Sequence, residues 1–238
     1  LKHQPTTQAF GQFPFPRGRV VGGSSAVNTC IALRGGPQDY DEWADLGLKE
    51  WSWSHCLPAF KRLEHDHDFD DDWHGQQGPL PIRRHPPEEL TEWQQAFLEA
   101  CADTGYAACA DSNNPTQTGY GPHAMNRIDG RRISAAEAWL TPAVRARPGL
   151  TIQGRTHVHR VLFDGRKVTG VEVTANGERA RYRAKQVVLC AGAIHTPGIL
   201  LRSGIGPKAD LSRLGAEVVC ENEAVGAQLL DHPGVAFF

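Results

Sequence analysis

The stretch Arg17–Asn28, RGRVVGGSSAVN, places glycines and hydroxyl groups where they could hold a phosphate or a cofactor. Gly18, Gly23 and the serine pair that begins at Ser24 nearly follow the P-loop pattern G-x-x-x-x-G-K-[ST], but Ser24 stands where that motif needs its lysine. Such a run removes side-chain bulk, exposes backbone N–H groups and adds hydroxyl donors. It predicts a turn that lines an anionic or electron-rich cofactor, with a P-loop-like nucleotide site as the alternative.

A second glycine-rich stretch, Gly192–Gly206, reads GAIHTPGILLRSGIG and overlaps the end of the apolar run VVLCAGA. The apolar run predicts a buried parallel strand. Thr196 is placed to cap a helix that has Pro197 in its first turn, and Gly204 is placed to end that helix. A strand that delivers small residues to the N-terminus of a helix lets a ligand approach the backbone closely.

The acidic stretch HDHDFDDDWH, residues 65–74, is the candidate for a metal site. Asp66, Asp68 and Asp70 imitate the first ligands of an EF-hand loop, but Asp71 occupies the position that needs glycine and Gln77 the position that needs glutamate. A solvated acidic loop is therefore the preferred interpretation, and no metal ligand is predicted. The sequence also contains no G-x-S-x-G, so it offers no nucleophile elbow for a serine hydrolase.

The composition is typical of a folded domain without a strongly charged partner. The chain has 238 residues, of which 40% are hydrophobic and 22% charged, and its formal net charge is -2. It can bury a substantial core, and its charge gives no reason to expect nucleic acid or an anionic membrane as a partner. The sequence shows no membrane-length apolar run and no signal peptide, and its scattered cysteines suggest buried, reduced thiols; a cytoplasmic location is therefore expected.

Helical patterns are expected to position these stretches before residue 150. Residues 1–16, which contain three prolines, are expected to form an extended lead-in. A short helix is predicted from Pro58, a longer one from Pro86 to Gly105, and a third over Ser134–Arg145, where Ser134 and Glu137 form a capping box. One face of the second helix is apolar and comprises Leu90, Trp93, Phe97, Ala100 and Cys101.

The pattern changes to strands from Leu150 onward. The segments HVHRVLF and KVTGVEV flank Asp164-Gly165 and predict an antiparallel hairpin, with Arg166 leaving the length of the turn open.

Taken together, the two glycine-rich stretches resemble the two signatures of the glucose–methanol–choline (GMC) family of FAD-dependent oxidoreductases. The first signature is matched from Gly18 through Asp41, and the second by Gly192–Gly206 at every defined position. The segments DGRRISAAEAWLTPA, LCAGA and VGAQLLDHP also resemble family segments in the expected order. The resemblance covers essentially the whole chain. It implies an α/β fold, an FAD/NAD(P)-binding Rossmann-like domain with an antiparallel β meander.

The resemblance also implies a domain that is incomplete at both ends. Family members normally begin with a strand–GxGxxG–helix unit that holds the FAD pyrophosphate, and they end with a substrate domain that supplies a catalytic histidine. Neither is found in residues 1–238, which are expected to be a partial N-terminal, FAD-binding domain. His195 and His232 lie outside the family's catalytic motif, so no catalytic residue is assigned.

The resemblance carries a set of cofactor contacts onto this sequence: Gly22, Gly23, Asn28, Thr29, Cys30, Ile31, Val158, Ala191 and Gly192. The contacts from Gly22 to Ile31 would lie near the isoalloxazine and pyrophosphate of FAD. The backbone of Val158 would meet the adenine, and Ala191 and Gly192 would form a close backbone approach. Val27 stands where some relatives carry the histidine that tethers the flavin, so non-covalent FAD is expected.

The chemistry that the resemblance implies is hydride removal from a small alcohol to flavin N5, giving an aldehyde or ketone. Oxygen, a quinone and a protein remain open as the electron acceptor. Two alternatives are kept. The first is a truncated, inactive fragment or pseudoenzyme of the family, which is the outcome expected for the isolated chain. The second is the P-loop-like nucleotide binder.

Overall fold

The computed structural model describes residues 2–3, 13–14 and 16–231 of the chain. Most of the predicted lead-in, residues 1–16, lies outside the described residues, and so does His232. The chain divides into two compact units, Leu1–Ile152 and Gln153–Phe238. The α-helices are α1 Pro37–Asp45, α2 Trp53–Leu63, α3 Glu92–Asp103, α4 Ala135–Trp139, α5 Pro142–Arg145, α6 Gly192–Arg202 and α7 Lys208–Leu214. Short 3-10 helices occupy Gly23–Ala26, Lys49–Trp51 and Pro87–Glu89.

The strands are short outside the second unit. They are β1 Lys2–His3, β2 Phe13–Pro14, β3 Glu64–Asp66, β4 Leu80–Ile82, β5 Arg127–Ile128, β6 Arg131–Arg132, β7 Thr156–Asp164, β8 Lys167–Ala175, β9 Glu178–Arg183, β10 Ile205–Gly206 and β11 Cys220–Glu221. Parallel pairing joins β3 to β4 and β10 to β11, whereas β7, β8 and β9 form an antiparallel meander. The predicted α/β class and the meander are confirmed.

The helices of the first unit begin at different residues from those predicted. The N–H groups of His55 and Cys56 donate to the Ser52 carbonyl at 3.0 and 2.9 Å, so α2 forms its first turn ahead of Pro58 and carries the proline inside. Pro86-Pro87 opens only a 3-10 turn, and α3 starts after Thr91, whose hydroxyl caps it.

The helix predicted over Ser134–Arg145 is split into α4 and α5. Its capping box is present: the Ser134 hydroxyl accepts from the Glu137 N–H at 3.3 Å, and Glu137 accepts from the Ser134 N–H at 2.9 Å. The split falls just before Pro142, because proline lacks an N–H and disfavours helical backbone at the preceding residue.

The second unit is built on the meander, with α6 against β7 and α7 against α6. The β7–β8 turn consists of Gly165 and Arg166, so the predicted hairpin is confirmed. The backbone N–H of Val161 on β7 donates to the Ser203 hydroxyl just after α6, at 2.8 Å. The buried hydrophobic residues of this unit are Val161, Val173, Ile199 and Leu211.

The prediction of a buried parallel strand at VVLCAGA is wrong. Residues 186–190 form no strand, and Val188 is 76% exposed. A strand needs a neighbour to accept and donate its backbone hydrogen bonds, and nothing in the described part of the chain pairs with this segment. The helix that follows also begins earlier than predicted: Ala191 is its N-cap, and Thr196 and Pro197 lie inside α6.

The six cysteines are free thiols, but only Cys30 and Cys109 are buried, so the expectation of buried thiols holds for two of them. In the described residues, no helix has both the length and the apolar character that a membrane span requires. The cytoplasmic location stays a prediction.

Candidate functional site

The first glycine-rich stretch folds into a compact turn that its own hydroxyl groups hold together. The Ser24 hydroxyl accepts from the Gly18 N–H at 3.1 Å, and the Ser25 hydroxyl donates to the Gly22 carbonyl at 2.6 Å. The sequence predicts these hydroxyls as donors to a cofactor, but the Ser25 hydroxyl donates its proton within the turn. The turn continues into the 3-10 helix Gly23–Ala26.

Two glycines of this turn have separate physical requirements. Gly22 has φ +99°, which is left-handed backbone that side chains disfavour. Gly18 is needed for close approach, because a Cβ there would lie 2.1 Å from the Gly23 carbonyl oxygen. At Gly23 a Cβ would meet nothing within 4 Å, so this side of the turn is open.

Several apolar side chains of this segment are exposed: Val20, Val21, Val27 and Ile31. Asn28 closes the turn, and its side-chain oxygen accepts from the Cys30 N–H at 3.1 Å. Cys30 is buried with φ +65°, a conformation that the Asn28 hydrogen bond helps to hold. The predicted contacts from Gly22 to Ile31 therefore lie in one continuous segment, which has open backbone at Gly23 and exposed apolar side chains.

Thr29 and Ile31 also line a groove of about 470 Å³. Its other walls come from α3 and from two loop segments; they are His85, Leu90, Trp93, Gln94, Phe97, Leu98, Gly121, Pro122, His123 and Met125. Trp93 is 87% exposed and Phe97 64% exposed, so the apolar face of α3 is not covered by the described part of the chain. The helical spacing of apolar residues identifies the apolar face of α3, but it does not show whether another part of the chain covers that face.

In the second unit, the predicted contacts lie at opposite ends of α6: Ala191 and Gly192 are at its start, and the strand of Val158 contacts its end. Gly192 begins α6 with φ +81°, and a Cβ there would meet nothing within 4 Å. The Ala191 N–H donates to the Thr196 hydroxyl at 3.1 Å. Val158 lies on β7, which contacts the opposite end of α6 through Arg202 and Ser203. The structure therefore does not place Val158 beside Gly192.

The acidic stretch contributes to a buried ion-pair network, so its interpretation as a solvated loop is wrong for Asp66 and His74. These two residues are 1% and 2% exposed, whereas Asp68 and Asp70 are exposed. The network comprises the carboxylates of Glu64, Asp66 and Asp111 and the cationic side chains of Arg34, His74 and Arg84. With His74 protonated, three positive charges balance three negative charges.

Glu64, Asp66 and His74 have ligand atoms within 4.8 Å of one another, as a metal site requires. The same atoms are engaged in ion pairs. His74 Nδ1 lies 3.0 Å from Asp66 and Nε2 lies 2.8 Å from Asp111, while Arg34 contacts Glu64. A metal would have to displace these cations, so the arrangement fits a neutral structural network.

The network shifts the protonation of its members. Burial opposes the charge on His74, but hydrogen bonds to Asp111, Asp66 and Glu64 outweigh it and raise the pKa of His74 to about 11. Burial also opposes the charge on Asp66, but hydrogen bonds from His74 and Arg84 hold its pKa well below the usual range. The same balance, with His74 and an arginine as partners, lowers the pKa of Glu64 and of Asp111.

We expect the free energy of unfolding to be highest between about pH 4.5 and 6.5. The raised pKa of His74 gives stability that is complete below its ordinary value of 6.5 and is lost as the pH rises toward about 11. The lowered carboxyl pKa values give stability that is complete above about 4.5 and is lost in acid. Urea unfolding at pH 5 to 9 should show a decline that approaches about 1.4 kcal/mol per pH unit. An unchanged slope in His74→Gln would contradict this account.

The structure gives the P-loop alternative little to rest on. A P-loop binds phosphate at the N-terminus of a helix that follows its glycines. Here the glycines lead into a four-residue 3-10 helix that ends at Ala26. Arg132, a residue that sequence reasoning missed, contacts this turn; it comes from a segment quoted only for its family resemblance.

The model of the GMC oxidoreductase family matches residues 8–234. The oxygen-dependent choline dehydrogenase of Staphylococcus saprophyticus is 42% identical over 219 residues, which are 91% of this chain and 39% of that protein. Pyridoxine 4-oxidase from Mesorbium loti superposes with a TM-score of 0.81 at 40% identity, covering 86% of this chain and 40% of that one. An FAD-dependent oxidoreductase from Chaetomium thermophilum has TM-score 0.81 and 27% identity, covering 93% and 40%. The chain thus spans about two fifths of the length of the relatives it matches.

Proposed function

Because the chain belongs to the GMC oxidoreductase family, we propose that its turn Gly18–Ile31 holds part of a bound FAD in an enzyme that oxidises a small alcohol to an aldehyde or ketone. The observation that carries the proposal is the open backbone at Gly23, in a segment with exposed valines that lies within the residues matched to the family. The FAD-dependent and alcohol-oxidising relatives support the same assignment.

The residues present fit a flavin, which is a flat ring system with apolar faces and polar edges. Val20, Val21 and Val27 offer apolar surface, and the lack of a side chain at Gly23 lets a ring approach the backbone. The Asn28 amide offers polar hydrogen-bonding capacity at the end of the turn. Val27 has no nucleophile, so we propose non-covalent binding.

When bound, FAD supplies the acceptor for the hydride that leaves the alcohol carbon. The residues of this chain would orient the flavin and exclude water from it, and none of them is assigned as the base that takes the hydroxyl proton. In the second unit, the open backbone at Gly192, its neighbour Ala191 and the strand residue Val158 are proposed as further FAD contacts. Their support is the match to the family.

We further propose that the 238 residues alone do not turn over an alcohol. Most of the length of each matched relative has no counterpart in this chain. The activity is therefore proposed for a protein in which the chain is joined by the remaining family segments. Within that protein, residues 1–238 would form the partial N-terminal FAD-binding domain.

The test is an anaerobic reduction of the native protein. It should carry the visible absorbance of an oxidised flavin, which bleaches when its alcohol is added without oxygen, and denaturation should release the flavin into solution. Because one relative is named as oxygen-dependent, oxygen is the first electron acceptor to test. Bound FAD that no member of a broad alcohol panel reduces would contradict the activity. Release of no flavin would contradict the cofactor.

A further inference from the structure

Arg132 lies at the end of β6 and reaches the cofactor turn, 104 residues earlier in the chain. Its Nη1 donates to the Asn28 side-chain oxygen at 2.5 Å and to the Ser25 carbonyl at 3.1 Å. Its Nη2 donates to the Asn28 backbone carbonyl. One guanidinium group thus donates to three acceptors at the end of the 3-10 helix. The planar arrangement of its N–H donors suits such multiple contacts.

These contacts fix which way the Asn28 amide points. A guanidinium has no acceptor, so the amide oxygen must face Arg132. The same oxygen accepts from the Cys30 N–H at 3.1 Å, which occupies both of its acceptor positions. The Asn28 Nδ2 donors have no hydrogen-bond partner among the described residues and remain available to a ligand.

The same segment of chain holds the other end of the turn. The Ala135 N–H donates to the Ser25 hydroxyl at 2.9 Å, and that hydroxyl donates to the Gly22 carbonyl. Arg132 has no carboxylate partner among the described residues, so its hydrogen bonds go to neutral oxygens of the turn. These contacts hold the shape of the turn without using its open face.

We propose that Arg132 is a positioning residue for the cofactor: it locks Asn28 so that the Nδ2 group donates to a hydrogen-bond acceptor on FAD. The inference rests on the proposed function. It adds a residue outside the two family signatures and a specific polarity at Asn28, donor rather than acceptor.

The test uses the native protein stripped of FAD and titrated with FAD, followed by flavin fluorescence and visible circular dichroism. Arg132→Lys keeps the charge but cannot reach three acceptors in one plane, and it should weaken FAD binding about tenfold and alter the dichroism of the bound flavin. Asn28→Asp keeps the oxygen that Arg132 and Cys30 use but removes the donors, and it should also weaken binding about tenfold. Arg131→Lys, at the exposed neighbouring position, is the matched control and should bind FAD like the wild type.

The outcomes separate this inference from the proposed function. If the wild-type protein binds no FAD, both fall. If it binds FAD and Arg132→Lys matches it in affinity and dichroism, only the positioning role falls. If Arg132→Lys does not fold, Asn28→Asp decides, because its contacts to Arg132 are retained; wild-type affinity and dichroism in that variant would overturn the inference. A lower melting temperature of the apoprotein with unchanged dichroism would show a purely structural role and would also overturn it.

Discussion

Arg84→Met is expected to destabilise the first unit by about 3–5 kcal/mol, the cost of removing one partner from a buried ion pair. Arg84 lies 2.6 Å from Asp66 and 2.5 Å from Asp111, and all three side chains are buried. Methionine fills part of the space but removes one of the two cations that the buried carboxylates of Asp66 and Asp111 share, and leaves them only His74. Since native domains are stable by only about 5–15 kcal/mol, the loss is a large fraction of the total.

Urea unfolding at pH 6, followed by tryptophan fluorescence, measures this loss. Arg83→Met is the matched control, because Arg83 is the neighbouring residue and its ion pair with Glu89 is partly exposed. Pairs of that kind contribute less than about 1 kcal/mol. Equal losses in the two variants would show that the buried network contributes no more than a surface pair.

Gly18→Ala is expected to weaken FAD binding by a factor on the order of one hundred. The added Cβ would lie 2.1 Å from the Gly23 carbonyl oxygen and 2.8 Å from the Ser24 nitrogen. Both are backbone atoms, so relief requires that the turn itself moves. That movement would displace Gly23 and the exposed valines of the same segment.

FAD titration of the stripped native protein measures the effect of this change. Gly149→Ala is the matched control, since a Cβ there meets nothing within 4 Å and no left-handed backbone is involved. The control should bind FAD like the wild type. Wild-type affinity in Gly18→Ala would show that the shape of the turn is not what binds the cofactor.

Local patterns predicted the parts of the fold that local contacts decide. The hairpin around Gly165 and the capping box at Ser134 depend on residues close in sequence, and both are present. Sequence predicts the proposed FAD contacts Gly22, Gly23 and Asn28 as one segment, because signature residues that adjoin in sequence also adjoin in space. Their contact with the cofactor stays a prediction.

Features that depend on distant partners could not be predicted from local patterns. The apolar run before Gly192 has the composition of a buried strand but no pairing partner in the described residues, and Trp93 has the periodicity of a core residue yet is exposed. Asp66 and His74 read as surface residues because their compensating arginines, Arg34 and Arg84, stand outside the acidic stretch. Counting charged residues within residues 65–74 alone does not reveal that arginines elsewhere in the chain neutralise the buried carboxylates.

The ion-pair network has a further consequence, for the order in which the chain folds. Its surroundings join very distant segments: the Asn113 amide donates to the Ala32 carbonyl across 81 residues and accepts from the Arg34 N–H across 79. Closing such long loops costs entropy before any contact forms, whereas each strand of the β7–β9 meander meets the next one along the chain. We therefore expect the meander to form early and the charge network to close last, which makes the first unit the slow step in reaching the native state.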